Sequence, residues 1–110
     1  MERFVAGDII VISFPFTDLS FTRKRPAMVL ANLQGDDIIL CEITSKIRSD
    51  PYVIPLNNVD IESGKLKVNS IIRPNRLLTI NKNKIIYKFG KVKERKLQEV
   101  LIKLKEILNL

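Results

Sequence analysis

The β-branched and aromatic residues of this chain fall in short runs cut by prolines, glycines and polar turns, and this spacing limits the possible folds more than any other feature. Runs of about four to eight such residues with these boundaries are typical of β-strands. We expect Pro15 to end the first strand and Pro74 the fifth, because proline has no N–H to donate to a strand ladder. The predicted strands cover residues 8–14, 26–32, 37–44, 52–56, 70–72 and 85–89.

The second and third predicted strands flank the sequence Gln34-Gly35-Asp36, where glycine can supply the positive φ of a tight turn. These two strands are therefore expected to form a hairpin. Residues 16–24 are expected to form a polar loop, and Gly90 is expected to bound the last strand.

The C-terminal residues follow a different pattern, in which apolar side chains recur every three or four positions. This spacing predicts an amphipathic helix over residues 93–108 with its apolar face on the sheet. Partner binding by that face is the alternative. Five to seven short strands and one helix predict a single domain over residues 1–110, mainly β, with a strongly bent antiparallel sheet or partly open barrel. The apolar positions of the helix are Leu97, Val100, Leu101, Leu104, Ile107 and Leu108.

Composition excludes several classes of protein. The longest uncharged apolar run covers residues 9–14 and is far shorter than the roughly 20 residues of a membrane span. Cys41 is the only cysteine and histidine is absent, which excludes an internal disulfide, zinc-finger spacing and Cys–His catalysis. With no leader pattern at the N-terminus, the sequence predicts a cytoplasmic protein without a membrane anchor.

The net charge of +7 is concentrated in one part of the chain. Residues 61–92 hold eight Lys and Arg residues against the single acid Glu62, which gives +7 for this segment alone. Clustered positive charge favours a polyanion such as nucleic acid, whereas the alternative is a set of solvated lysines. The cations are Lys65, Lys67, Arg73, Arg76, Lys82, Lys84, Lys88 and Lys91.

The acids do not suggest a metal site or a two-carboxylate catalyst. We expect six of them to lie in turns or loops, and no pair of these has the spacing that would bring two carboxylates to one atom. They are Asp18, Asp36, Asp37, Asp50, Asp60 and Glu62.

Two polar constellations flank the predicted hairpin. Arg25 precedes Pro26, which biases it towards an extended conformation from which a guanidinium can bind a phosphate in bidentate fashion. Residues 44–46, Thr-Ser-Lys, end the third strand and can hold a phosphate, although such a pair can also bond its own backbone. Because Arg25 and Thr44 lie nine or ten residues on either side of the turn, we expect them to be near each other across the paired strands. An arginine and a threonine at adjacent strand ends suit phosphodiester chemistry.

The same residues resemble the MazF/PemK family of toxin endoribonucleases. The resemblance extends over roughly residues 6–108 and is carried by an ordered set of motifs rather than by any one of them. The motifs are GDIIV at 7–11, FPFTD at 14–18, KRPAMVL at 24–30, ITS at 43–45, SIIRP at 70–74 and LTI at 78–80.

The resemblance implies an SH3-like or CcdB-like antiparallel barrel, a homodimer and metal-independent cleavage of single-stranded RNA without a cofactor. In the family, the substrate ribose 2′-hydroxyl attacks and leaves a 2′,3′-cyclic phosphate and a 5′-hydroxyl. By similarity, Arg25 would act as acid/base and stabilise phosphate charge, and Thr44 would hold the scissile phosphate. A cognate antitoxin, expected to be acidic and partly disordered, would cover the basic groove. The RNA contacts would be Lys24, Ser45, Lys46, Arg73, Asn75 and Arg76.

Two departures from the family pattern keep other functions open. Some members carry Arg-x-Asp where this chain has Arg73-x-Asn75, which removes a carboxylate from that position. Residues 19–22, Leu-Ser-Phe-Thr, stand where many members have a loop that contains glycine. Phe16 or Phe21 could stack on an unpaired base, although for Phe16 burial in the barrel is the favoured interpretation. The alternatives are a catalytically inert barrel that binds RNA or protein, and a gyrase-poisoning toxin of the same fold.

Overall fold

In the computed structural model, the backbone is described for residues 3–18, 21–46 and 49–110, and the side chains for the same residues except 14–18 and 21–23. The strands are β1 (Asp8–Asp18), β2 (Phe21–Asn32), β3 (Asp37–Thr44), β4 (Ile54–Leu56), β5 (Ile61–Ser63), β6 (Ser70–Asn81) and β7 (Ile85–Val92). One α-helix, α1, spans Glu94–Leu108, and two 3-10 helices span Asn58–Asp60 and Lys82–Lys84.

The seven strands of the described residues form one curled antiparallel sheet in the order β4-β6-β3-β2-β1-β7-β5. The predicted hairpin is confirmed, because β2 pairs with β3 around a turn in which Gly35 has a φ of +94°. The predicted bounds of the third strand are also confirmed. A mainly β fold with a C-terminal helix is therefore what the chain adopts.

Alternating residues of the strands enter two separate apolar clusters, one on each face of the sheet. The first cluster lies between the sheet and α1 and includes Ile9, Met28, Ile43 and Leu97. The second includes Ile10, Ala27, Leu40 and the N-terminal Phe4. A strand that is buried on both faces has apolar residues at successive positions, and residues 9–12 and 38–41 form two such runs in the sequence.

The expectation that proline ends two of the strands is wrong. Pro15 lies inside β1. On one side of β1, the register with β2 is broken between Phe14 and Asp18, and on the other side the pairing with β7 ends at Ile12. The missing N–H of Pro15 therefore removes no ladder bond. The loop predicted over residues 16–24 is therefore mostly strand, because β1 continues to Asp18 and β2 begins at Phe21. Leu19 and Ser20 lie outside the described residues.

Pro74 is likewise inside a strand. Glu42 of β3 pairs with Arg73, and the next residue back, Cys41, pairs with Leu77. Residues 74–76 are therefore extra residues on β6 with no partner on β3, which forms a bulge, and a bulge is a position where proline is tolerated.

Smaller differences affect the remaining strands. The strand predicted at 52–56 begins at Ile54, and Asp18 and Glu62 lie in strands rather than in turns. Asp37 is the first residue of β3, at the turn that precedes the strand. Gly90 does not end β7, which continues to Val92. A Cβ at Gly90 would collide with the carbonyl oxygen of Ser63, so the glycine lets β5 pack against β7.

The helix begins at Glu94 and ends at Leu108, as the apolar spacing predicts to within one residue. Leu97 and Val100 are buried, whereas Leu108, on the same face, is 51% exposed. The sheet therefore covers the first half of the apolar face more completely than the second. No helix in the described part of the chain is both long enough and apolar enough to cross a membrane.

Candidate functional site

A cavity of about 580 Å³ opens where β2 begins and β3 ends. Its volume lies within the range of about 300–1,000 Å³ that is usual for small-ligand sites. The described residues that line it come from five parts of the chain: Ile9; Lys24, Arg25 and Pro26; Ile43, Thr44, Ser45 and Lys46; Leu66, Lys67, Val68 and Ser70; and Phe89.

Arg25 and Thr44 meet at this cavity because of the hairpin register. Ala27 pairs with Glu42 across β2 and β3, Arg25 and Thr44 lie two residues beyond this pair on their strands, and both line the cavity. On its other side Arg25 pairs with Ile12 of β1, so its backbone belongs to a paired strand and not to a loop. The predicted proximity of the two residues is confirmed.

The Thr44 hydroxyl is held by the turn that follows it. Its Oγ1 accepts a hydrogen bond of 3.1 Å from the backbone N–H of Lys46, and the residue is mostly buried. A threonine hydroxyl that accepts one bond still has its hydrogen to donate. This turn fixes the hydroxyl and can leave its hydrogen available for a ligand oxygen.

Positive charge dominates the cavity. Lys24, Arg25, Lys46 and Lys67 line it, and none of the described lining residues is a carboxylate. A concave site lined by one sign of charge raises the local concentration of oppositely charged ligands. The chemistry of this site therefore suits a phosphate-bearing ligand.

The other three predicted contacts, Arg73, Asn75 and Arg76, lie outside the described lining of this cavity and are grouped around two carboxylates. Arg73 donates to Glu42 Oε1 at 3.4 Å and to Asp50 Oδ2 at 3.2 Å. Arg76 Nε lies 3.6 Å from Glu42 Oε2. Glu42 is buried, so these cations balance a charge that would otherwise be costly to remove from water.

Position 75 itself has no carboxylate, as the sequence shows, but a carboxylate from elsewhere in the chain lies beside it. Asn75 Nδ2 donates to Asp50 Oδ2 at 3.4 Å, so a carboxylate arrives from another segment of the chain. The hydrogen bond that Asp50 accepts from the N–H of Tyr52, followed by that from Arg73, holds the pKa of Asp50 below its usual range despite the opposing effect of desolvation. Asp50 is therefore ionised at neutral pH.

Eight lining residues were not among the predicted site residues: Ile9, Pro26, Ile43, Leu66, Lys67, Val68, Ser70 and Phe89. Lys67 was counted in the basic segment, but its position in the fold depends on the three-residue strand β5 and its pairing with β7. A strand of this length has too few residues to show a period, so no sequence signal placed this segment beside Arg25.

Other groups in the described chain do not extend the site. No three carboxylate or thiol side chains among the described residues are grouped as metal ligands. Burial, and next the charge of Glu42, raise the pKa of the Cys41 thiol to about 12, so this cysteine is not a nucleophile at neutral pH. The side chains of Phe16 and Phe21, proposed for base stacking, lie outside the described residues.

Comparison with known proteins identifies the family. A model of the PemK-like, MazF-like toxins of type II toxin–antitoxin systems matches residues 6–108. Comparison with curated proteins returned no match.

Solved structures share the fold at low sequence identity. An endoribonuclease in complex with its cognate antitoxin from a Mycobacterial species superposes with a TM-score of 0.76 at 15% identity, covering 98% of this chain and 97% of that one. The MazE-MazF structure from Deinococcus radiodurans gives a TM-score of 0.75 at 20% identity, with 96% and 95% covered. The toxin MazF-mt6 of Mycobacterium tuberculosis gives 0.74 at 14% identity, with 94% and 97% covered.

Proposed function

The chain belongs to the family of PemK-like, MazF-like toxins of type II toxin–antitoxin systems, and from this membership we propose that it is an endoribonuclease that cleaves single-stranded RNA. The observation that carries the proposal is the meeting of Arg25 and Thr44 at one cationic cavity. Two of the structurally similar proteins are themselves endoribonucleases from Mycobacterial species.

The proposed reaction takes its nucleophile from the RNA. The ribose 2′-oxygen attacks the adjacent phosphorus, the bond from phosphorus to the 5′-oxygen breaks, and the products are a 2′,3′-cyclic phosphate and a 5′-hydroxyl. The 2′-proton passes to solvent and the leaving 5′-oxygen takes up a proton. This route needs neither histidine, which the chain lacks, nor a metal or other cofactor.

Arg25 and Thr44 would act on the phosphate. A guanidinium keeps its charge at neutral pH, so Arg25 would mainly stabilise the negative charge that builds up on the phosphoryl oxygens. It can also pass a proton to an oxygen as basic as the leaving 5′-alkoxide, and the guanidine then regains a proton from solvent, which has received the 2′-proton. Thr44, fixed by the N–H of Lys46, would donate its hydroxyl hydrogen to a phosphoryl oxygen.

Of the six residues expected to contact RNA, we propose four as direct contacts and two as support for them. Lys24, Ser45 and Lys46 line the cavity and would bind the phosphates next to the scissile one. Arg76 keeps half of its side chain exposed and would reach the strand outside the cavity. Arg73 and Asn75, held by Glu42 and Asp50, would support Arg76 and the end of β3.

The family suggests the partners. We propose a homodimer that acts in the cytoplasm, where messenger RNA is found, and an antitoxin that binds the basic cavity through acidic residues. The Deinococcus radiodurans relative is a MazE-MazF complex, and one Mycobacterial relative is bound to its cognate antitoxin. Both support an antitoxin as partner here.

The test is cleavage of a long RNA of mixed sequence, in EDTA, by the wild type, Arg25→Ala and Thr44→Ala. We expect discrete fragments that end in cyclic phosphate, and their loss in both variants. Arg95→Ala is the matched control, since Arg95 is exposed, lies on α1 and is not among the lining residues. RNA left intact by the wild type over a wide range of enzyme concentrations would refute the proposal. A salt-sensitive gel shift would then favour an inert RNA-binding barrel, and no shift would favour a protein target such as gyrase.

A further inference from the structure

Residues 64–69, between β5 and β6, form one wall of the cavity, which we name the 64–69 wall. Within it Leu66 is buried, whereas Lys67 and Val68 are exposed and both line the cavity. Val68 is 58% exposed, and an exposed branched apolar side chain at the rim of a cationic cavity has no evident role in the core.

The 64–69 wall is held in place by one side chain outside it. Asn58 accepts a hydrogen bond of 2.8 Å from the N–H of Leu66 and donates one of 3.2 Å to the carbonyl oxygen of the same residue. Gly64 has a φ of +92°, and a Cβ there would lie 2.7 Å from the carbonyl oxygen of Phe89. These contacts hold the backbone on either side of Lys65, so the wall is preformed rather than a flexible lid.

The lining of the cavity combines two kinds of chemistry. Arg25 and Thr44, from β2 and β3, suit a phosphate, whereas Val68, Leu66 and the half-buried Phe89 supply apolar surface. A cavity of about 580 Å³ has room for more than a phosphate. The part of a nucleotide that prefers apolar contact is the face of its base.

On the basis of the proposed function, we propose that the 64–69 wall is a nucleobase-binding wall, on which Val68 contacts the face of one unpaired base while Lys67 binds the backbone of the same strand. A base can reach this wall only when it is unstacked from its neighbours, so the wall selects single strands. Because the Val68 side chain shapes the surface that the base contacts, Val68 is also a specificity-determining residue.

The test separates base binding from backbone binding without cleavage. Two strands of equal length are compared: a pool of random sequence whose 2′-hydroxyls are replaced by fluorine, and a strand of abasic nucleotides. The wild type is expected to bind the strand with bases more tightly. Val68→Ala should reduce that preference about fivefold to tenfold, the effect of two methyl groups that no longer contact the base. Lys67→Ala should weaken both strands by the same factor.

Matched controls are exposed residues outside the wall. Val59, which is 66% exposed, and Lys105, which is exposed on α1, are not among the lining residues, so Val59→Ala and Lys105→Ala should change neither the base preference nor the affinity beyond about twofold. Val68→Thr keeps the shape of the side chain but replaces one methyl group with a hydroxyl, and should lower the preference as Val68→Ala does.

The outcomes distinguish this inference from the proposed function. An equal affinity of the wild type for the two strands, or a base preference unchanged in Val68→Ala and Val68→Thr, overturns the nucleobase wall even if RNA is cleaved. A base preference that depends on Val68 supports the wall even if the cleavage assay shows intact RNA, in which case only the proposed function fails. An effect of Val59→Ala equal to that of Val68→Ala also overturns the wall.

Discussion

Arg73 lies directly opposite Glu42 across the β3–β6 ladder, and its Nη1 atom is 3.4 Å from Glu42 Oε1. The side chains are only 12% and 4% exposed, so the pair is largely out of water. The residue two positions further along β3 from Glu42 is Thr44. The charged cluster therefore braces the strand end that carries the proposed phosphate ligand.

Removal of Arg73 should destabilise the protein. Arg73→Met leaves the buried Glu42 with Arg76 alone, and we expect the free energy of unfolding to fall by about 2–4 kcal/mol, measured by urea denaturation. Arg95→Met removes a cation that is 57% exposed and leaves the buried Asp60 with Lys96, so it should cost at most about 1 kcal/mol. Unchanged stability together with lost RNA affinity would instead make Arg73 a direct RNA contact.

Thr44 should tolerate serine but not valine. Thr44→Ser keeps the oxygen that accepts the N–H of Lys46 and should retain most of the cleavage rate. Thr44→Val keeps the volume but loses the hydroxyl, and should lower kcat by about 100–1,000-fold, as loss of one donor to a developing anion does. Equal rates for the two variants in single-turnover cleavage would show that the hydroxyl has no part in the reaction.

Binding of RNA should weaken with salt in proportion to the number of cations in contact. For a single strand, a plot of log K against the logarithm of salt concentration has a slope of about −0.7 for each phosphate that a cation neutralises. We therefore expect Lys24→Ala to reduce this slope by about 0.7 in fluorescence titrations with an uncleavable strand. Lys105→Ala, on the exposed side of α1, serves as the control. A slope that Lys24→Ala leaves unaltered would contradict a phosphate contact there.

Asp60 should make stability depend on acid pH. Burial disfavours its charge, but the N–H of Asn57 and the cations Lys96 and Arg95 outweigh this effect and lower the pKa of Asp60. A carboxyl with a lowered pKa stabilises the fold above its ordinary pKa of about 3.9, and this contribution is lost as pH falls through the lowered value. Asp60→Asn should therefore unfold at a lower temperature than the wild type at neutral pH. The difference in Tm should narrow below about pH 4; a constant difference would exclude ionisation of Asp60 as its source.

Gly90→Ala should destabilise the sheet by steric conflict. A methyl group at this position would collide with the backbone carbonyl of Ser63, which cannot move without separating β5 from β7. We expect a loss of about 1–3 kcal/mol in the free energy of unfolding. A stable Gly90→Ala protein would show that β5 can be displaced at little cost.

The parts of the fold that follow from local patterns could be predicted. The bounds of β3 and the helix α1 follow from apolar runs and periods, and the Arg25–Thr44 proximity follows from counting outwards from a glycine turn. Pro15 and Pro74 were misleading because proline ends a strand only where its N–H is needed, and that depends on the register of the neighbouring strand. The residue pattern of one β-strand does not reveal where its register with the neighbouring β-strand is broken.

The charged cluster and the 64–69 wall could not be predicted for a related reason. Arg73 meets Glu42 because three extra residues are taken up in the bulge of β6, and Asp50 reaches them from a turn between strands. The wall depends on β5, a strand of three residues, and on the Asn58 amide, which bonds a residue eight positions away. Each of these depends on tertiary contacts between segments without a periodic signal.

The cavity also determines when the protein can become active. Its lining begins at Ile9 and ends at Phe89. Strand β1 lies between β2 and β7 in the sheet, and the N–H of Val92, at the end of β7, donates a hydrogen bond of 3.0 Å to the carbonyl oxygen of Gly7, just before β1. Contacts that close so long a stretch of chain form late in folding. A growing chain on the ribosome therefore has no complete cavity until β7 has emerged from the exit tunnel, so the site cannot bind a ligand while that strand is still inside.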